Sequence, residues 1–266
     1  MFIVSRENLK LITGLFEGWD NTSVRASLEG NIGEIWADDE KSPQVAKIVV
    51  NNECFFAGDT SLEGAKELLL HIPPNYEFEE MNLFPINESW DKLIEEIYYS
   101  KDPEQYEKYF RYSFKKDSNL FSKVKLEQFV KQLADDYKIV PFDEKLFHTL
   151  QKQEWSKFHG SNFTNFADFE NHGIGYVILF DGKPVCCASS YLYYEGGIEI
   201  QMDTVEAHRK KGLATACVAR LILACLDRGI YPNWDAANEK SVALAKKLGY
   251  SLDKAYAIHE ILVCVK

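Results

Sequence analysis

A chain of 266 residues with 46% hydrophobic and 14% aromatic content can bury one large core or two of ordinary size, which excludes a disordered chain. The net charge is −11 at pH 7 and is placed unevenly: residues 1–135 carry 15 basic and 25 acidic side chains, and residues 136–266 carry 15 and 16. That balance offers no basic face for nucleic acid, no run approaches the length of an apolar membrane span, and no basic-then-apolar start reads as a signal peptide.

The N-terminal half reads as mixed α and β. Asn31 to Ala37, Ala46 to Val50 and Cys54 to Ala57 are strand-like, the last two joined by the turn signal Asn51-Asn52-Glu53. Ser61 to Leu70 reads as a helix with Ser61 as its N-cap and Leu62, Ala65, Leu68 and Leu69 on one face, stopped by Pro73-Pro74. A second helix is expected from Ser89 to Tyr98. The charged segment Lys115 to Lys125 reads as a linker or long loop. The domain boundary is therefore placed at 135/136, with an acidic α+β domain over 1–135 and a second domain over 136–266.

From Tyr137 the order is more regular. Tyr137 to Pro141 is strand-like, Asp143 to Lys152 is helical with Asp143 as cap, and Trp155 to Phe169 is an irregular aromatic stretch. Gly175 to Phe180 and Pro184 to Tyr193 form a hairpin about Asp181-Gly182-Lys183, and Ile198 to Thr204 is a third strand. Lys210 to Asp227 is a long helix with Gly229 past its end. Tyr231 to Ala236 is a strand, Glu239 to Leu248 a helix closed by Gly249, and Tyr250 to Val265 two strands. The six cysteines show neither CxxC pairs nor zinc spacing. They read as buried thiols of a cytoplasmic protein, with no metal site expected.

The most informative stretch is Arg209-Lys210-Lys211-Gly212-Leu213-Ala214, between the Ile198–Thr204 strand and the long helix. Unpaired N–H groups and the helix dipole favour an anion there, and Gly212 lets the main chain approach it. The Arg-x-x-Gly-x-Ala spacing resembles the pyrophosphate-binding signature of the GNAT N-acetyltransferase superfamily. A second stretch agrees with that family: Asn238-x-x-Ser241-x-x-Leu244-Ala245-x-Lys247-Leu248-Gly249-Tyr250. The phrases Asp203 to Arg209 and Tyr231 to Asn238 resemble a bacterial subgroup of two-part GNAT proteins, whose N-terminal half shares Leu28-Glu29-Gly30-Asn31 and Phe55-Phe56-Ala57-Gly58-Asp59.

The resemblance implies an α/β (α+β) fold with a mixed central sheet flanked by helices, and acetyl-CoA as co-substrate. Backbone groups of Met202, Asp203 and Thr204 would meet the acetyl and pantetheine amides. The amides of Lys210, Lys211, Gly212, Leu213, Ala214 and Thr215 would cradle the pyrophosphate, with charge from Arg209 and Lys211. Asn238 either bonds the pantetheine arm or caps the helix at Glu239, and both readings stand. The implied reaction is acetyl transfer to the primary amine of a small molecule; the acidic N-terminal half would steer a cationic one to the protein or serve solubility alone. A binding-only protein and a peptide N-acetyltransferase are the alternatives.

Such a reaction needs a base for the ammonium. Glu199 on the central strand is the first candidate, with Asp203 and Glu206 nearby. The family's usual acid, a Tyr after the position of Leu244, is here Ala245, which leaves Tyr250 and Tyr256 as the nearest tyrosines. Monomer and homodimer are both left open, as is a GNAT-like or substrate-side role for the N-terminal half.

Overall fold

Two mixed sheets flanked by helices organise the chain in this computed structural model, which describes residues 1–263. Contacts divide the chain into one unit of Met1–Arg111 with the chain from Ala255 onward, and a second of Tyr112–Lys254.

In chain order the elements begin β1 (Phe2–Ile3), α1 (Thr22–Leu28), β2 (Glu34–Ala37), β3 (Val45–Val50), β4 (Glu53–Gly58), α2 (Glu63–Leu70), β5 (Glu80–Pro85), α3 (Glu88–Lys101) and β6 (Tyr106–Phe114), a strand that runs across the 111/112 division. Beyond it come α4 (Lys123–Lys131), β7 (Tyr137–Pro141), α5 (Glu144–Gln151), α6 (Phe166–His172), β8 (Gly175–Phe180), β9 (Lys183–Tyr194), β10 (Gly197–Thr204), α7 (Leu213–Asp227), β11 (Tyr231–Asn233), α8 (Glu239–Leu248) and β12 (Leu252–Leu262). One sheet has the order β1-β2-β3-β4-β5-β12-β6 and the other β11-β10-β9-β8-β7.

The same topology occurs twice. Strands β1 to β5 follow one another through antiparallel neighbours to a parallel β4–β5 pair bridged by α2. Strands β7 to β11 repeat this, ending in a parallel β10–β11 pair bridged by α7. The two outcomes differ at the parallel pair. In the first unit β4 and β5 stay in register from Glu53 to Phe56, Trp90 stacks on Phe56, and its indole N–H donates to the Gly58 carbonyl at 3.0 Å. The turn that follows is acidic, with Asp59 accepting from the Ser61 amide and hydroxyl.

Local chemistry accounts for the element ends. Asp181 (φ +49°) and Gly182 (φ +74°) supply the left-handed pair that a two-residue hairpin needs. Asp143 and Asn238 accept from Leu146 N and Ser241 N and so cap α5 and α8. Ser61 is not the α2 cap: its groups are taken by Asp59, and Leu62 occupies that position without a side-chain bond. The expected pair of C-terminal strands is one strand, because residues 252–262 contain no glycine or proline to turn on; residues 264–265 of that expectation lie outside the described residues.

The division at 111/112 differs from the boundary expected at 135/136. Tyr112 bridges to Ala236, and Leu126 of α4 is buried in the second unit's core with Phe129 and Val130 against it. Most of the expected linker is therefore ordered structure: a turn of 3₁₀ helix at Ser118–Leu120 and the start of α4. Among the described residues no helix is long and apolar enough to cross a membrane.

In the first unit Lys47 is 0% exposed, its ammonium donating to the His71 carbonyl beside the Phe56 ring. Burial pushes its pKa from 10.5 down to about 8. That displacement corresponds to roughly 3 kcal/mol held against folding at neutral pH, and the bond to His71 offsets about 1 kcal/mol. Lys47→Met is expected to raise the melting temperature at pH 7. The native state sheds the Lys47 proton before the unfolded chain does, so wild-type stability gains on the variant as pH rises from 8 to 10. Thermal melts of both proteins across that range check the sign; a variant less stable than wild type at pH 7 would refute it.

Candidate functional site

Strand β10 organises the site. Its antiparallel pairing with β9 runs its whole length, but its parallel pairing with β11 covers only Gly197, Ile198 and Glu199. Past Glu199 the chain of β11 leaves, and Ala236 pairs with Tyr112 instead. The edge of β10 from Ile200 to Thr204 is thereby left without a ladder partner, although main-chain groups seek one.

Glu199 sits at the parting point. Asn233 Nδ2 donates to its Oε2 at 2.6 Å and Asp235 N to its Oε1 at 2.8 Å. The residue is only 7% exposed. Both carboxylate oxygens are committed to β11 and its continuation, so Glu199 fixes the width of the opening.

A cleft of about 890 Å³ fills the opening. One wall is Ile200, Met202, Asp203 and Thr204 of β10, and the far wall is Trp234 to Asn238 with α8. The end of the cleft is the Arg209–Thr215 turn. Lys210 (φ +62°) and Gly212 (φ +81°) both take left-handed backbone, and Gly212 opens α7 with no side chain capping it. The first-turn N–H groups of α7 therefore face the cleft without a side-chain acceptor, as an anion site requires.

The expected donor-binding residues meet here with one rearrangement. Met202, Asp203, Thr204, Arg209, Lys210, Gly212, Leu213, Ala214, Thr215 and Asn238 line the cleft. Lys211 does not; its ammonium points to the Tyr137 hydroxyl at 3.5 Å. The missing charge comes from Lys240 and Lys247 of α8, the latter reaching Thr215 Oγ1 at 3.4 Å. Their spacing with Leu244 (i, i+4, i+7) marks one helix face and was the signal available in sequence. Asn238 spends its carbonyl oxygen on capping α8, and the residue also lines the cleft.

The catalytic candidates separate. Asp203 lines the cleft. Glu199 does not and is occupied as described. Tyr250 is in the core, edge-on to Phe121, and its hydroxyl donates to the Pro232 carbonyl at 2.6 Å. Burial pushes its pKa well above the usual range. The structure thus gives the leaving group no tyrosine at 250. Tyr256 belongs to the first unit, beside Phe84.

The sequence model of the family described as GNAT acetyltransferase matches residues 13–259. The uncharacterized N-acetyltransferase YdfB of Bacillus subtilis is 26% identical over 250 residues, covering 90% of this chain and 89% of that one. A solved GCN5-related N-acetyltransferase-like protein from Streptococcus suis is 39% identical with a TM-score of 0.86, over 96% of this chain and 98% of its own. A GCN5-related N-acetyltransferase from Kribbella flavida, 14% identical over 91% of this chain and 96% of its own, shares the fold with a TM-score of 0.59.

If Glu199 holds the opening, Glu199→Gln should act on binding and stability before it acts on chemistry. The amide presents an NH₂ to one of two donors that both need an acceptor, at a cost of about 1–3 kcal/mol. The expected outcome is a lower melting temperature and acetyl-CoA affinity reduced about tenfold, measured by calorimetry. Unchanged affinity with lost turnover would return Glu199 to the role of base.

Proposed function

The chain belongs to the GNAT acetyltransferase family, and from that premise we propose that it transfers the acetyl group of acetyl-CoA to the primary amine of a small cationic molecule. The observation that carries the reading is the uncapped basic turn at the end of an open strand edge. The N–H groups of Leu213, Ala214 and Thr215, with Arg209, Lys210, Lys240 and Lys247, suit a pyrophosphate. The unpaired edge of Ile200–Thr204 suits the amides of a pantetheine arm, and Asn238 can add its NH₂. The thioester supplies an activated acetyl group; the protein's part is to hold it and to present the amine.

The amine arrives as an ammonium, which the acidic residues of β10 favour. The proton acceptor in this reading is Asp203, which lines the cleft together with Asp235, because Glu199 is spent on the opening. Ala245 is buried and Tyr250 is in the core, so the thiolate departs without a tyrosine donor. The same observation favours the second reading, a protein that binds acetyl-CoA without turnover. The described cysteines are buried free thiols, which fits the cytoplasm.

Gly212→Glu puts a residue with a Cβ at φ +81° and an anion beside the phosphates. Acetyl-CoA affinity is expected to fall more than about 100-fold by calorimetry, with the melting temperature of the free protein lowered by a few degrees from the backbone strain. Thiol release from acetyl-CoA over spermidine, tyramine, histamine and glucosamine separates the two readings. Release with any of them identifies a transferase, whereas tight binding without release leaves a sensor.

A further inference from the structure

Side chains on β10 alternate between faces. Ile198, Ile200 and Met202 pack into the core with α7, so Glu199, Gln201 and Asp203 share the other face. Behind that face lies His159, in the aromatic segment between α5 and α6, with 0% exposure. Its Nδ1 is 2.7 Å from Ser189 Oγ, and its Nε2 is 3.2 Å from Asp203 Oδ2. That Nε2 is buried and makes no hydrogen bond of good geometry, so the carboxylate is the partner it faces. The Asp203 side chain, by contrast, is 40% exposed and lines the cleft.

The segment carrying His159 is locked in place. Ser156 Oγ donates to the Leu150 carbonyl and the His159 amide to the Ser156 carbonyl. Gly160 has φ +75° where a Cβ would meet the Phe147 ring. Asn162 Nδ2 donates to the Tyr191 carbonyl. Four consecutive constraints hold one imidazole against one carboxylate. A histidine kept only for packing leaves no reason for a wholly buried nitrogen to face a half-exposed charge.

We propose that Asp203, His159 and Ser189 form one proton-accepting unit, with Asp203 as the base for the acceptor ammonium and His159 as the residue that positions it. The inference rests on the acetyltransfer reading. In this unit the Ser189 hydroxyl, which also lies 3.5 Å from the Ser190 carbonyl, turns its proton to His159 Nδ1, and the Nε2 proton turns to Asp203 Oδ2, 3.2 Å away. Gln201 Nε2 donates to the same oxygen at 3.2 Å. Oδ1 is left facing the amine. The N–H bond of the ammonium breaks and an O–H bond forms on Oδ1. The freed lone pair then attacks the thioester carbonyl, C–N forms, C–S breaks, and the thiolate takes up the second amine proton. The proton on Asp203 returns to solvent before the next turnover.

Around Asp203 the titratable groups are His159 from the loop, Glu199 two positions back on the strand, and Cys187 opposite on β9, whose thiol burial keeps protonated. Asp235, His208, Arg209, Lys210, Lys240 and Lys247 line the same cleft.

The test uses the full chain, acetyl-CoA and whichever of the four amines above supports thiol release. Asp203→Asn is expected to lower kcat at least 100-fold with the KM for acetyl-CoA within twofold. His159→Phe should lower kcat about tenfold with the KM for acetyl-CoA within twofold, and His159→Gln, which restores a donor, should recover part of that loss. The double variant His159→Phe with Ser189→Ala removes both members of the buried pair and guards against misfolding. Long-range ¹⁵N NMR should show His159 neutral with its proton on Nε2, and its signals should move in Asp203→Asn. Wild-type kcat in His159→Phe, full turnover in Asp203→Asn, or an Nδ1 proton on His159 overturns the unit. If no amine releases thiol, the acetyltransfer reading falls, and the role of Asp203 falls with it.

Discussion

The second unit depends on what the Glu199 carboxylate does where two parallel strands part. Removing a carboxylate from water costs several kcal/mol, and the cost is recovered only when strong donors surround it. Here the donors are Asn233 Nδ2 and the Asp235 amide, both on the departing strand. The pairing of Ala236 with Tyr112 holds the same segment from the other side. A frayed strand end would re-pair or fluctuate; this one is pinned open. The exposed edge of β10 can then serve a ligand at no cost in rearrangement, which is the condition for preorganised binding.

The duplicated topology shows how few side chains decide whether such an opening exists. In the first unit the parallel pair carries on to Phe56, and Trp90 closes the space beyond it with a stack and a hydrogen bond to Gly58. The turn there begins Asp59-Thr60-Ser61, and Glu63 follows in the first helical turn. A helix start with acidic neighbours and an indole in place of an opening has nothing to offer a phosphate. The basic turn after β10, with two left-handed residues and no side-chain cap, reverses each of these features.

Much of the second unit was legible because its signals are local. Asp181-Gly182, Gly249 and the caps at Asp143 and Asn238 act within a few residues, and β7, β8 and α8 fall where alternation and periodicity place them. The elements that could not be read depend on distant partners. Strand β5 is four buried residues running into a proline, and β6 mixes charges with aromatics, so neither shows a clean period of two. Helix α4 hides in a charged segment because one residue, Leu126, carries its burial. The site divides in the same way. The phosphate turn is contiguous in sequence, whereas the task of Glu199 is set by Asn233 and Asp235, and His159 meets Ser189 and Asp203 only through the fold.

The absence of a tyrosine at 245 and the position of Asp203 fit one energetic argument. A thiol has a pKa near 8.5, so at neutral pH a CoA thiolate departs with little penalty for going unprotonated. An alkylammonium titrates about two units higher, near 10.4, and its neutral form is scarce at pH 7 by more than a factor of 10³. That deficit is roughly 4–5 kcal/mol, and it lies on the nucleophile's side of the reaction. In the proposed reaction, a site that holds a carboxylate against the amine and gives up the acid keeps the costlier half of the proton transfer. On β10 that division would follow the alternation of a strand: the main-chain edge is open to the cleft, Ile198 and Ile200 pack in the core, and Glu199, Gln201 and Asp203 share the other face.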